Sequence, residues 1–137
     1  MPNYWIVKTE PTTYSFDDLA RQKTAVWDGV KNSLALKHLR QMKPGDRVLV
    51  YHTGDEKAVV GVAEVASEAY PDPKHKDPKL AVVDLKAGGR LPRPVSLAEI
   101  KKERAFANLA LVRIGRLSVM PASLDQYERL LKLGGLK

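Results

Sequence analysis

Cysteine is absent from the 137 residues. That excludes disulfide frameworks, thiolate metal sites and cysteine nucleophiles, and it fits an intracellular, cytoplasmic protein. Long apolar runs are missing as well. No stretch approaches the roughly 18 residues that a membrane span needs, so no membrane partner is expected. The N-terminal "MPNYWIVKTEP" has no basic segment leading into an apolar one, so no secretory signal is expected either. Histidine is scarce. His38, His52 and His75 are the three in the chain, and they make no H-x-x-x-H or H-E-x-x-H spacing, so no metal and no other cofactor is expected. No G-x-S-x-G elbow and no Walker A loop occurs. Nothing local argues for an enzyme.

Acids are the minority charge. Lysine and arginine total 23 against 16 acids, a formal charge of +7. Such a surplus attracts polyanions over long range and through counterion release. It also serves solubility, and charge alone does not separate the two. The remaining composition, 44% hydrophobic and 28% charged, is that of an ordinary globule long enough to bury a core without staples. No repeat or linker interrupts the chain, so residues 1–137 read as a single domain, with a monomer expected.

Local signals give an α+β order. "YWIVK" (Tyr4 to Lys8) reads as a first strand, aromatic and β-branched. Ser15 followed by Asp18 predicts a capped helix to about Arg21, and Asn32 a cap for "SLALKHLRQM", with Leu36, Leu39 and Met42 on one stripe. "KPGD" is a turn. "RVLVYHT" and "AVVGVAEVASEAY" read as strands of a hairpin around "GDEK". Gly61 marks a bulge or a close backbone approach. A proline- and lysine-rich loop from Pro71 to Lys79 follows, then "LAVVDLKA" as a strand and "GGR" as a turn. Ser96 with Glu99, and Ser123 with Gln126, predict two further capped helices, the last ending near Gly134. "RIGRLSVMP" reads as turn plus strand. The pattern predicts mostly antiparallel strands beside short helices, a small curled β-barrel with helices at its ends.

Trp27 is one of only two tryptophans. Its neighbours Asp28, Gly29, Lys31 and Asn32 are turn residues. A site for a single base needs a flat apolar face, a few polar groups for the base edge and cations for phosphates. Trp27 with Asp28 and Asn32 could supply the first two. On local chemistry alone, the balance falls on Trp27 as a core plug and Asp28 as a turn cap. Trp5, inside a strand, reads as core. His52, beside Tyr51 and Thr53 at a strand end, reads as a hydrogen-bonded residue rather than a general base. Lys74 and Lys76 in the basic loop, and Arg113 and Arg116 around Gly115, are candidate phosphate contacts.

Taken in order, "YWIVKTEP", "VWDGVKN", "KPGDRVLVYHT", "VVGVAEVASEAYPDP" and "RPVSLAEIK" with "LVRIGRLSVMP" resemble the EVE domain family, over nearly the whole chain. The resemblance implies a PUA-like barrel related to the YTH module. It also implies a reader of a modified base in nucleic acid, chiefly modified cytosine in DNA, that receives a flipped base. It implies a pocket around Trp27, Asp28, Gly29, Val30 and Asn32. Lys8, Thr9 and Glu10 would stand at its rim, Tyr51, His52 and Thr53 on a neighbouring strand, and Ser118, Val119, Met120 and Pro121 on the far side, with Lys31 and Arg116 toward the backbone. An RNA reader and, further off, a small hydrolase of modified nucleosides are alternatives that the resemblance leaves open. The chain departs from the family pattern at Thr9, Lys31, Ser33, Thr53, Leu80 and Met120. At Met120, relatives often carry a glutamine able to read a base edge.

Overall fold

The computed structural model describes residues 2–75 and 77–136. Seven strands form one mixed sheet in the order β2-β6-β4-β3-β1-β7, with β5 pairing to β6 alone. The strands are β1 (Tyr4–Thr9), β2 (Thr24–Trp27), β3 (Arg47–His52), β4 (Ala58–Val65), β5 (Tyr70–Pro71), β6 (Ala81–Ser96) and β7 (Val119–Ala122). Helices α1 (Phe16–Gln22), α2 (Ser33–Gln41), α3 (Leu97–Lys101), α4 (Ala110–Arg113) and α5 (Leu124–Leu133) stand around it, with one 3-10 turn at Arg104–Phe106. Among the described residues no helix is long and apolar enough to cross a membrane.

The helix starts lie where their caps are. Ser15 and Asp18 form a reciprocal capping box, as do Ser123 and Gln126. Asn32 Oδ1 accepts the Ala35 N–H at 3.0 Å. Ser96 accepts the Glu99 N–H at 3.1 Å. Each cap satisfies amides that the first helical turn leaves orphaned. Leu36, Leu39 and Met42 are buried, giving α2 its apolar stripe.

Gly61 combines the two features a strand glycine signals. The β3–β4 register slips between Val50 and Tyr51, opposite Val59 and Gly61. A Cβ at Gly61 would stand 2.5 Å from the Phe16 ring. The buried carboxylate of Asp46, in the "KPGD" turn, ties that turn to the start of β1. It accepts the Trp5 indole N–H at 2.9 Å and the Asn3 and Lys43 amides at 3.0 Å each. Trp5 is core, as a tryptophan inside a strand should be.

Two features differ from the sequence-based expectation. The sheet is not closed into a barrel: β2 and β7 are its two ends. The pairing is mostly antiparallel, as expected; among the described residues β1 with β3 is the parallel pair, in register Tyr4↔Arg47 to Thr9↔His52, because the chain leaves β1 and returns through α1, β2 and α2. "GGR" is not a turn. Gly88 and Gly89 lie inside β6, which bends there as its register against β4 shifts between Val62 and Ala63. A Cβ at Gly88 would meet the Val62 carbonyl oxygen at 2.8 Å, so the glycine permits close passage of two strands rather than reversal. The short strand β2 had no clear signal: Thr24 and Val26 are exposed at a sheet edge, and of its four residues Trp27 alone is buried.

Candidate functional site

A cleft of about 830 Å3 opens between the edge strand β2 and the end of β1. One wall is β2 and the turn after it: Thr24, Ala25, Val26, Trp27, Asp28, Gly29 and Val30. The opposite wall comes from the end of β1 (Lys8, Thr9) and from Ser118 just before β7. Thr13 and Tyr14 of the β1–α1 loop and Gln22 complete one rim, and Asp72, Pro73 and Lys74 the other. The size of the cleft lies within the range of small-ligand pockets.

Trp27 ends β2 opposite Val83 of β6. It is 6% exposed and lines the cleft, so it both seals the core and forms part of the wall. Tyr14 meets it nearly perpendicularly, ring centroids 6.0 Å apart and planes at 80°. The Tyr14 hydroxyl is tied to Gln22 Oε1 at 2.5 Å, and burial pushes its pKa up. Gly29 turns the chain away from Trp27 with φ 80°, a left-handed conformation that suits glycine.

Charge lines the mouth. Lys8 Nζ donates to the Gly115 carbonyl at 2.8 Å and lies 5.7 Å from the centre of the Tyr51 ring. Desolvation holds its pKa below the ordinary lysine value. From the other rim, Lys74 Nζ reaches to 3.8 Å from Asp28 Oδ2. The loop that carries Lys74 is pinned by Asp72, whose side chain is 4% exposed. Asp72 accepts the Lys74 amide at 2.8 Å and faces His75 Nδ1 at 2.9 Å. These bonds, the amide first, hold its carboxyl below the usual carboxylate range.

Of the residues expected at a pocket, the cleft brings together Lys8, Thr9, Trp27, Asp28, Gly29, Val30, Ser118 and Lys74. The others stand elsewhere. Asn32 spends its side chain on the α2 cap. Glu10 accepts from Thr12 and from the Thr53 hydroxyl at 3.2 Å, and the Thr12 amide leads in holding its pKa down. Tyr51 is buried under Lys8. His52 is buried with both ring nitrogens engaged: Nε2 accepts the Phe16 amide at 2.9 Å, and Nδ1 is 2.7 Å from Glu56. An amide can only donate, so Nε2 carries no proton and Nδ1 donates to Glu56. Val119 and Met120 are fully buried and Pro121 pairs opposite Trp5. Met120 sits against Ile6 in the β1–β7 pair, so it packs in the core rather than facing Trp27 across the cleft. Lys31, Arg113 and Arg116 are exposed, the two arginines flanking the turn whose Gly115 carbonyl holds Lys8. Lys76 lies outside the described residues.

Thr13, Tyr14, Gln22, Thr24, Ala25, Val26, Asp72 and Pro73 were not foreseen in the cleft. Tyr14 offered the same signal as Trp27, an aromatic in a turn segment, "TEPTTYS". Thr24 to Val26 depended on seeing β2. A second groove, about 870 Å3 and lined by Tyr4, Arg47, Leu124 and Tyr127 among others, lies on another face. There Tyr4 and Tyr127 pack on each other at 4.7 Å.

The match to known proteins is broad. The model of the EVE domain matches residues 3–133. Thymocyte nuclear protein 1 of Mus musculus is 30% identical over 97% of this chain and 74% of its own length. A crystal structure of a protein from Agrobacterium tumefaciens superposes with a TM-score of 0.93 at 36% identity, over 98% of this chain and 94% of that one. The human THYN1 protein, in a crystal structure in complex with 5-methylcytosine containing DNA, superposes with a TM-score of 0.89 at 28% identity, over 98% and 99% of the two chains. With its cleft beside the edge strand β2 of a seven-stranded mixed sheet, this chain belongs to the EVE domain family.

Proposed function

We propose that this protein is a reader of a modified base in DNA, a methylated cytosine foremost, and that it takes the base into the cleft between Trp27 and the Lys8–Ser118 wall. The observation that carries the reading is the paired aromatic wall of Trp27 and Tyr14 in a cleft with cations at its mouth. A base drawn out of a duplex loses a few kcal/mol of stacking and pairing. An aromatic partner returns about 1–3 kcal/mol, and lysines on flanking phosphates supply the rest through counterion release. A cytosine methyl group needs an apolar contact, which Val26, Val30 and Pro73 offer in the same cleft. The 5-methylcytosine DNA bound by the human relative supports the choice of ligand class. In the PUA-like arrangement that the family implies, the open edge of the curled sheet is the natural entrance.

A binding reading is favoured over hydrolysis by how the titratable groups are used. Both nitrogens of His52 and both oxygens of Glu10 are engaged away from the cleft. Lys8, the remaining actor, is held by the Gly115 carbonyl.

The test is a titration, read by tryptophan fluorescence, against duplexes that differ only in one cytosine methyl group, with matched RNA alongside. Tighter binding of the methylated duplex is expected. Equal affinity for methylated and plain DNA would overturn the reading, and preference for the RNA would redirect it to the 2′-hydroxyl contacts of an RNA reader.

A further inference from the structure

The rim of the cleft has a back. Gln22 and Thr24 line the cleft, while Lys23, between them, lines a separate groove of about 480 Å3 between α1 and β6. Lys86 and Arg90 of β6 line the same groove, with Gly88 and Gly89 between them. Lys86 stands opposite Thr24 in the β2–β6 pair. A single ridge, the end of α1 and the start of β2, therefore separates an aromatic cleft from a cationic groove.

Lys23 caps α1 with φ 67° and ψ −45°. Non-glycine residues rarely adopt positive φ, so a lysine stands here at a cost that a glycine would avoid. The backbone needs no lysine there. Its N–H donates to the Leu19 carbonyl and its carbonyl accepts the Ala87 amide, both at 2.8 Å, and a glycine would make both bonds at less cost.

The charge is available. Lys23, Lys86 and Arg90 are all exposed. Among the described residues no ion pair involves Lys23 or Lys86. Glu64, across from Lys86 on β4, is taken by Arg47 at 3.4 Å. Arg90 donates from Nε to Asp17 at 3.0 Å, which orients the guanidinium and leaves its terminal amino groups free of carboxylates. One acid against three cations keeps the groove positive. Gly89 leaves its floor open: a Cβ there would meet nothing within 4 Å.

We propose that this groove is a second, sequence-independent contact for the nucleic acid, in which Lys23, Lys86 and Arg90 hold phosphates of the strand that crosses the ridge from the cleft. It rests on the reading of the cleft as a base pocket. The groove grips any strand, and the cleft supplies preference for the modified base. Lys23 then keeps its strained backbone because a glycine would lose the charge.

Two single variants of the full chain test this, Lys23→Gly and Gly89→Glu. The readouts are the salt dependence of binding to methylated and plain duplexes, the ratio between those affinities, and the thermal midpoint. Lys23→Gly is expected to lower the salt slope by about 0.9, the value for one phosphate contact on duplex DNA, to weaken both duplexes alike, and to hold or raise the midpoint. Gly89→Glu is expected to weaken both duplexes with the midpoint held. Wild-type slope and affinity in both variants would overturn the proposal. A lowered midpoint in Lys23→Gly, with Gly89→Glu binding normally, would also overturn it by making Lys23 structural. The methylation ratio of the unaltered protein reports separately on the cleft: a ratio of one with the slope changes intact removes the base reading and leaves the groove standing.

Discussion

Tyr14 and Trp27 meet edge to face, centroids 6.0 Å apart and planes at 80°. One comes from the loop after β1 and the other from the end of β2, so this contact joins one rim of the cleft to its β2 wall. An edge-to-face pair contributes about 0.5–1.5 kcal/mol beyond its buried area. It also fixes the plane of the indole that a base would meet.

Replacing Trp27 by Ala is therefore expected to do two things. Loss of a stacking face worth about 1–3 kcal/mol lowers affinity for a methylated duplex by roughly 5- to 150-fold, and the methylation preference disappears. The truncation also costs about 3–5 kcal/mol of stability, because the ring is buried. Tyr14→Leu separates the effects. It leaves the indole in place, costs about 1 kcal/mol, and lowers the preference by less than Trp27→Ala. Denaturant melts alongside the oligonucleotide titration check both variants.

His52 acts as a pin between β3 and α1. Its Nε2 accepts the first amide of α1, from Phe16, at 2.9 Å. His52→Ala orphans that buried amide, which costs about 1–3 kcal/mol. The expected outcome is a urea midpoint lowered to match and the methylation preference retained, since His52 does not line the cleft. A variant that melts normally but loses activity toward modified nucleosides would instead assign the imidazole a chemical role.

Gly61→Ala tests the closest approach in the core. The added carbon would lie 2.5 Å from Phe16 Cε1, and Phe16 is 1% exposed, so the ring has little room to yield. Overpacking of this kind costs about 1–3 kcal/mol. Phe16→Leu in the same chain should recover part of the loss, giving a coupling energy of opposite sign in a double-mutant cycle.

Tyr70 sets a limit on alkaline stability. Its hydroxyl donates to Asp84 Oδ1 at 2.6 Å, and that bond, with burial and the Asp84 charge behind it, pushes the phenol up to about 12 from 10.0. The folded state holds this proton more tightly than the unfolded chain. The stabilisation is complete below about pH 10 and is lost as pH rises through about 12. Absorbance titration should show a tyrosine ionising late, and Tyr70→Phe should remove that step and flatten stability across this window.

The helix starts were legible from sequence because caps are local. Ser15 with Asp18, Asn32, Ser96 and Ser123 with Gln126 lie within three residues of the amides they satisfy. The strands β1, β3 and β4 and the core stripe of α2 were legible for a similar reason, since their apolar periodicity follows burial. The family was legible because its motifs are contiguous.

What only the tertiary structure decided is everything that depends on partners far along the chain. The glycines of "GGR" carry a turn signal, yet β4 pairs on both sides of them and carries the bent strand on to Ser96. Thr24 to Val26 look like a loop until β6 supplies their partners. Met120 and His52 lie in segments that resemble pocket motifs, but pairing to β1 buries the first and the Phe16 amide claims the second. For Trp27 the local reading of a core plug and the family's reading of a pocket wall are not alternatives. The residue ends an edge strand beside the cleft, where the ring packs inward and still contributes to the cleft wall. Residue order determined the caps, the strands and the chemistry carried to that cleft. Long-range strand pairing decided where the cleft lies, because a sheet edge exists only once every other strand has found its neighbour.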